Sequence, residues 1–139
     1  MKTVTKYLLR FALTITMLTI AFRYFLSYGI DHQSTITIVL SAILYGTSML
    51  YFGWFFGKKD GEYLPIFDIG FRFHLTTYLI HNGTSLLWFF WGFGSKYEKL
   101  NSVIIVILYW GISVLLHFLY YLWTRKNSIE NLDKEDLFE

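Results

Sequence analysis

Two histidines, His74 and His117, are the residues of this sequence best suited to chemistry, and each lies in a long apolar segment. Neutral imidazoles on facing helices of a bundle can hold haem iron between them. The alternative is a hydrogen-bonded pair that joins two helices, worth about 0.6 kcal/mol on average in a membrane. We predict the hydrogen-bonded pair, with no metal and no cofactor, and keep haem b with axial ligands His74 and His117 as the alternative.

The polar residues around these histidines recur at helical spacing. One helix face carries His74, Tyr78, His81 and Ser85, and a second carries Trp110, Ser113, His117 and Tyr120. In lipid such a polar and aromatic seam should face another helix, because a polar group left in hydrocarbon is costly. We therefore expect His81 to hydrogen bond to Trp110 or Ser113.

The depth of these residues follows from the short connection between their segments. Consecutive antiparallel helices place residues whose numbers have a constant sum at the same depth. His74 then lies level with His117, and Asn82 lies level with Gly111. A glycine opposite Asn82 predicts a close approach of the two backbones.

Charged residues are rare inside the apolar segments. Asp68 and Arg72 are four residues apart and can form an ion pair along one helix edge. We interpret Asp68 and Arg72 as an ion pair at the membrane interface, in preference to part of an ion-conducting path. The five glutamates lie outside the segments, which makes a channel or transporter a weaker interpretation of the protein. The sequence also contains no zinc-hydrolase, nucleophile-elbow or phosphate-loop motif, and we do not expect an enzyme.

The elements that position these residues are membrane helices. With 55% hydrophobic and 22% aromatic residues in 139, the chain has more apolar surface than one small soluble core could bury. Four apolar runs are each long enough to cross a bilayer as a helix, which takes roughly 20 residues. They are Tyr7 to Tyr28, Thr35 to Phe56, Asp68 to Phe93 and Asn101 to Thr124.

Orientation follows from the lysines and arginines. Nine of the twelve lie on one side if both termini are cytoplasmic, which favours that topology. We predict an all-α polytopic membrane protein with four transmembrane helices and both termini inside. Its parts are an N-terminal helix pair (1–57), a cytoplasmic loop (58–67), a transmembrane hairpin (68–124) and a charged cytoplasmic tail (125–139).

The hairpin resembles a known family. Phe71, His74, Leu75, Tyr78 and Asn82 form one string, and Trp110, Gly111, Ile112 and His117 form a second. Together they resemble the two-transmembrane (2TM) domain over roughly residues 68–126. The resemblance implies a bacterial membrane hairpin that occurs alone or fused to signalling modules, and it implies no established activity. Since no kinase or DNA-binding module follows, we expect any signalling to use a separate partner.

These observations predict a function class. We expect a small, non-enzymatic, multi-pass protein of the cell (inner) membrane that acts as an interaction, accessory or signalling-associated module. Its expected partners are the lipid bilayer and either a second copy or another membrane protein. A net charge of +2 gives no reason to expect nucleic acid. A haem-binding electron-transfer protein is the alternative, followed by a small channel or transporter.

Overall fold

The computed structural model of the chain describes residues 4–61 and 66–130, and this part is entirely helical apart from short connections. Its four helices are α1 (Lys6–Asp31), α2 (Thr35–Asp60), α3 (Ile66–Phe90) and α4 (Leu100–Glu130). Helices α2 and α4 extend beyond the predicted spans, into the segments assigned to the loop 58–67 and the tail 125–139. Pro65 and residues 131–139 lie outside the described residues.

Local sequence signals fix several helix ends. The hydroxyl of Thr5 accepts a hydrogen bond from the backbone N–H of Leu8 and caps α1, and Ser34 caps α2 in the same way. Helix α3 ends at Phe90, three residues before the predicted end. Gly92 has a φ of 75°, which ends the helix although the apolar run continues.

The helices pack in an open arrangement. Helix α1 packs on both α2 and α3, and α3 also packs on α4 and, less extensively, on α2. Within the described residues, α4 does not pack on α1 or α2. A groove therefore remains between α2 and α4, which we call the α2–α4 groove.

The buried stripe of α1 changes character along its length. Its first half buries Leu8, Phe11 and Ile15, which form a core with Ile69 and Phe73 of α3. Its second half buries the polar residues Thr19, Arg23 and Ser27, which continue the four-residue spacing of Phe11 and Ile15. One end of the helix packing is thus apolar and the other is polar.

Three helices are long and apolar enough to cross a membrane: α1, α2 and the Leu100–Lys126 part of α4. Helix α3 has a similar length of 25 residues. Its apolar sequence is interrupted by Asp68, Arg72, His74, His81 and Asn82. Most large apolar side chains of α4 point outward, as expected of a lipid-facing helix.

Candidate functional site

His74 and His117 lie side by side between α3 and α4. Their Nδ1 atoms are 3.0 Å apart, and the indole N–H of Trp110 donates to Nε2 of His74 over 2.8 Å. Because an indole N–H only donates, Nε2 of His74 is the acceptor and its Nδ1 carries the proton. That proton is donated to Nδ1 of His117. The three side chains form one directional chain of hydrogen bonds.

The same geometry tests whether the histidines fit haem. A metal about 2.0 Å from each of two nitrogens on opposite sides would hold them about 4 Å apart. The Nδ1 atoms are closer than that, and both nitrogens of His74 are already hydrogen bonded. As arranged here, the two facing nitrogens form a hydrogen bond and leave no space for a metal between them.

Tyr78, and not Asn82, lies beside Gly111. A Cβ added at Gly111 would lie 3.1 Å from the Tyr78 hydroxyl, which donates to the carbonyl of Ile107. The Asn82 amide instead donates to the carbonyl of Tyr78 on its own helix. The side chain nearest to Gly111 is thus that of Tyr78 and not the expected Asn82. The aromatic side chain reaches across the interface further than the amide does.

His81 points toward the N-terminal helices. Its Nδ1 lies 2.9 Å from the hydroxyl of Tyr45 on α2, and that hydroxyl lies 3.0 Å from the hydroxyl of Thr19 on α1. The predicted hydrogen bond to Trp110 or Ser113 is not formed. Between His81 and Trp110 there is a ring contact without a hydrogen bond, at 5.1 Å between centroids, and Ser113 is exposed. The depth argument compares only α3 with α4, so it could not predict that His81 has its partner on α2.

The donors in the His81 chain can be assigned. The Thr19 hydroxyl donates its one hydrogen to the carbonyl of Ile15. The Tyr45 hydroxyl must then donate to Thr19, and Nδ1 of His81 must donate to Tyr45. Nε2 of neutral His81 is consequently an acceptor.

A buried ion pair joins α1 to the connection between α3 and α4. Arg23 donates two hydrogen bonds to the carboxylate of Glu98, at 2.7 and 2.8 Å, and the two side chains are only 4% and 7% exposed. Ser95 of the same connection donates to Asp31 at the end of α1. The sequence analysis did not predict this pair, because helical periodicity does not show which distant segments pack together. The spacing of Arg23 with Ile15 and Thr19 was the available signal.

Asp68 and Arg72 form an ion pair of 2.7 Å along the first turns of α3. The pair lies near the end of the helix that follows the α2–α3 connection, away from Arg23 and Glu98. Asp68 also lies where a helix N-terminus favours negative charge. This arrangement is typical of a helix end.

Two cavities lie along the α2–α4 groove. The first, the Arg23 cavity, has a volume of 460 Å³ and is bounded by α2, α4, the polar half of α1 and the middle of α3. The second, the His74 cavity, has a volume of 530 Å³ and is mainly apolar, with Phe11, Gly53, Phe73 and Trp110 among its lining residues. Both are partly open.

Three buried polar atoms that lack a hydrogen-bond partner belong to residues that line the Arg23 cavity. They are Oδ1 of Asn82, Oγ of Ser85 and Nε of Arg23, each buried and each without a hydrogen bond to a described residue. His81 and Glu98 line the same cavity. Of all parts of the described structure, this cavity best combines accessible space with buried polar groups.

Comparison with known proteins gives no match: no family model, curated protein or solved structure matches this chain. The resemblance of residues 68–126 to the 2TM domain accordingly stays a prediction based on its motif residues.

Proposed function

We propose that this protein is a four-span protein of the cell (inner) membrane, with both termini in the cytoplasm, that acts by binding. In this proposal α3 crosses the bilayer with the three more apolar helices, because its polar residues pair with neighbouring helices. The unequal distribution of lysine and arginine supports the orientation. The activity is non-enzymatic, either as an accessory subunit or in signalling.

The α2–α4 groove is the observation that carries this proposal. Binding sites are concave, mostly apolar and provided with a few convergent polar groups. The Arg23 cavity has these properties, with apolar Phe22 and Val106 beside buried Asn82 and Ser85. By contrast, the polar atoms of His74 and His117 that face each other are used in holding α3 to α4. The groove is therefore the part of the fold available to a partner or ligand.

Site-specific photocrosslinking in living cells tests the proposal. A photoreactive amino acid is placed at Ala42 or Val106, which line the groove from α2 and α4. Matched controls carry it at Met17 and Leu116, which are 73% and 62% exposed and line neither groove cavity. We expect discrete adducts, identified by mass spectrometry, from the groove positions and only diffuse lipid labelling from the controls. Identical labelling at all four positions would contradict a binding role for the groove.

A further inference from the structure

We propose that the Arg23 cavity binds a neutral lipid alcohol, with the hydroxyl head at the buried polar groups and the hydrocarbon body along the apolar walls. This inference rests on the proposed binding function and names the ligand that the groove would take. It is carried by the cavity together with the unpartnered, buried polar atoms of the residues that line it.

The first step of the argument concerns Asn82 and Ser85. These residues are 6% and 3% exposed, and Oδ1 of Asn82 and Oγ of Ser85 have no hydrogen-bond partner among the described residues. Buried polar groups in proteins are nearly always hydrogen bonded. Both residues line the cavity. Because the two atoms themselves are covered, a bound group supplies the absent partners once either side chain rotates toward the cavity.

The second step concerns the direction of the hydrogen bonds that a ligand must make. Oδ1 of Asn82 is an acceptor, and Nε2 of His81 is an acceptor because Nδ1 donates to Tyr45. Nε of Arg23 is a buried donor without a partner. A ligand hydroxyl can donate its one hydrogen to either acceptor and accept a hydrogen bond from the Arg23 donor.

The third step concerns charge. The guanidinium of Arg23 is neutralised by the carboxylate of Glu98, which accepts two hydrogen bonds from it. An added ion beside this pair would lack a counter-charge in a place of low polarity. Lys99 also lines the cavity, but it is exposed, and its charge is solvated at the rim. The buried groups thus select a neutral head.

The fourth step concerns size and source. The volume of 460 Å³ lies within the usual range for small-molecule sites. Apolar walls are provided by Phe22, Leu26, Val103 and Val106. Since the cavity lies in the groove between two lipid-facing helices, an amphiphile can enter it from the bilayer, with its tail remaining beside α2 and α4.

The inference is tested by thermal unfolding of the full-length protein in detergent. Four probe molecules with the same number of carbon atoms are added in turn. The probes are tetradecanol, tetradecanoate, tetradecylammonium and tetradecane. A ligand that binds the folded state alone raises Tm in a concentration-dependent, saturable way. We expect such a rise from tetradecanol and no specific rise from the two ions or the alkane.

Variants assign the effect to the cavity. Ser85→Ala and Asn82→Leu should each reduce the rise in Tm caused by tetradecanol, because each removes a polar partner of the hydroxyl. Ser113→Ala changes an exposed serine outside the cavity and should leave the rise unchanged. If Asn82→Leu does not fold, Ser85→Ala alone tests whether tetradecanol binds in this cavity. An equal rise in Ser85→Ala and wild type would overturn the assignment to this cavity.

The remaining outcomes separate this inference from the proposed function. A rise from tetradecanoate that disappears in Lys99→Gln would overturn the neutral head, while leaving a binding function intact. No specific rise from any probe, together with discrete protein adducts at Ala42 or Val106, would overturn the lipid ligand alone. No rise and no discrete adducts would overturn both.

Discussion

The pairing of Arg23 with Glu98 has a direct energetic consequence. Removing one member of a buried ion pair leaves an uncompensated charge, whereas removing both does not. We expect Arg23→Leu and Glu98→Leu each to lower the free energy of unfolding by about 3–5 kcal/mol. The double variant should lose much less than the sum. Reversible unfolding in mixed detergent micelles measures all three, and strictly additive losses would contradict a coupled buried pair.

His74 is the residue on which the choice between hydrogen bonding and haem depends. Glutamine can accept from Trp110 and donate to His117, so His74→Gln should cost little stability. His74→Leu leaves both neighbours without a partner and should cost about 1–3 kcal/mol. Thermal unfolding compares the variants, and the visible spectrum of the purified wild type tests for haem. A Soret band that is lost in both variants would refute the hydrogen-bonded interpretation.

At the scale of the helices, Gly111 allows α3 and α4 to approach each other. A Cβ at this position would lie 3.1 Å from the Tyr78 hydroxyl, whereas a Cβ at Gly83 of α3 would meet nothing within 4 Å. We expect Gly111→Ala to cost about 1–3 kcal/mol, as overpacking does. Gly83→Ala should be neutral or stabilising by about 0.5–1 kcal/mol.

A second substitution checks the cause. Tyr78→Phe removes the nearest atom, and the next ring atom would lie 3.7 Å from the added Cβ, an ordinary contact. Tyr78→Phe should therefore lower the cost of Gly111→Ala in thermal unfolding experiments. If the cost is the same in both backgrounds, the Tyr78 hydroxyl is not what opposes the added methyl group.

The helices themselves could largely be predicted from sequence, because long apolar runs separated by polar connections determine them. The all-α architecture with three membrane-compatible helices is confirmed. The end of α3 was missed, since the positive φ of Gly92 ends a helix inside an apolar run. Helix order along the chain also gave the depth of His74 relative to His117.

Contacts between the two halves of the chain could not be predicted in this way. Tyr45 with His81, and Arg23 with Glu98, are 36 and 75 residues apart. Periodicity places each residue on a face of its own helix, but it does not say which helices pack together. These long-range pairs bound the Arg23 cavity, so the candidate site emerged only from the packing.

At the scale of the whole molecule, orientation is the property that decides which end of the groove faces the cytoplasm. A reporter fused after Glu139 and one inserted near Lys59 should both report a cytoplasmic location, and one near Lys96 should report the opposite side. Alkaline phosphatase and green fluorescent protein fusions provide complementary readouts. A cytoplasmic signal near Lys96 would overturn either the four-span arrangement or its direction.

The link between Arg23 and Glu98 also constrains how the protein is made. The two residues are 75 positions apart, and at a synthesis rate of about 5–20 residues per second Arg23 waits about 4–15 s for its partner. During this interval α1 carries the unpaired charge of Arg23, which is costly to place in lipid. A chain truncated just before Glu98 would never contain the partner of Arg23. Such a truncated product should be degraded faster in pulse-chase experiments than the same truncation carrying Arg23→Leu, and equal lifetimes would show that the unpaired arginine is tolerated.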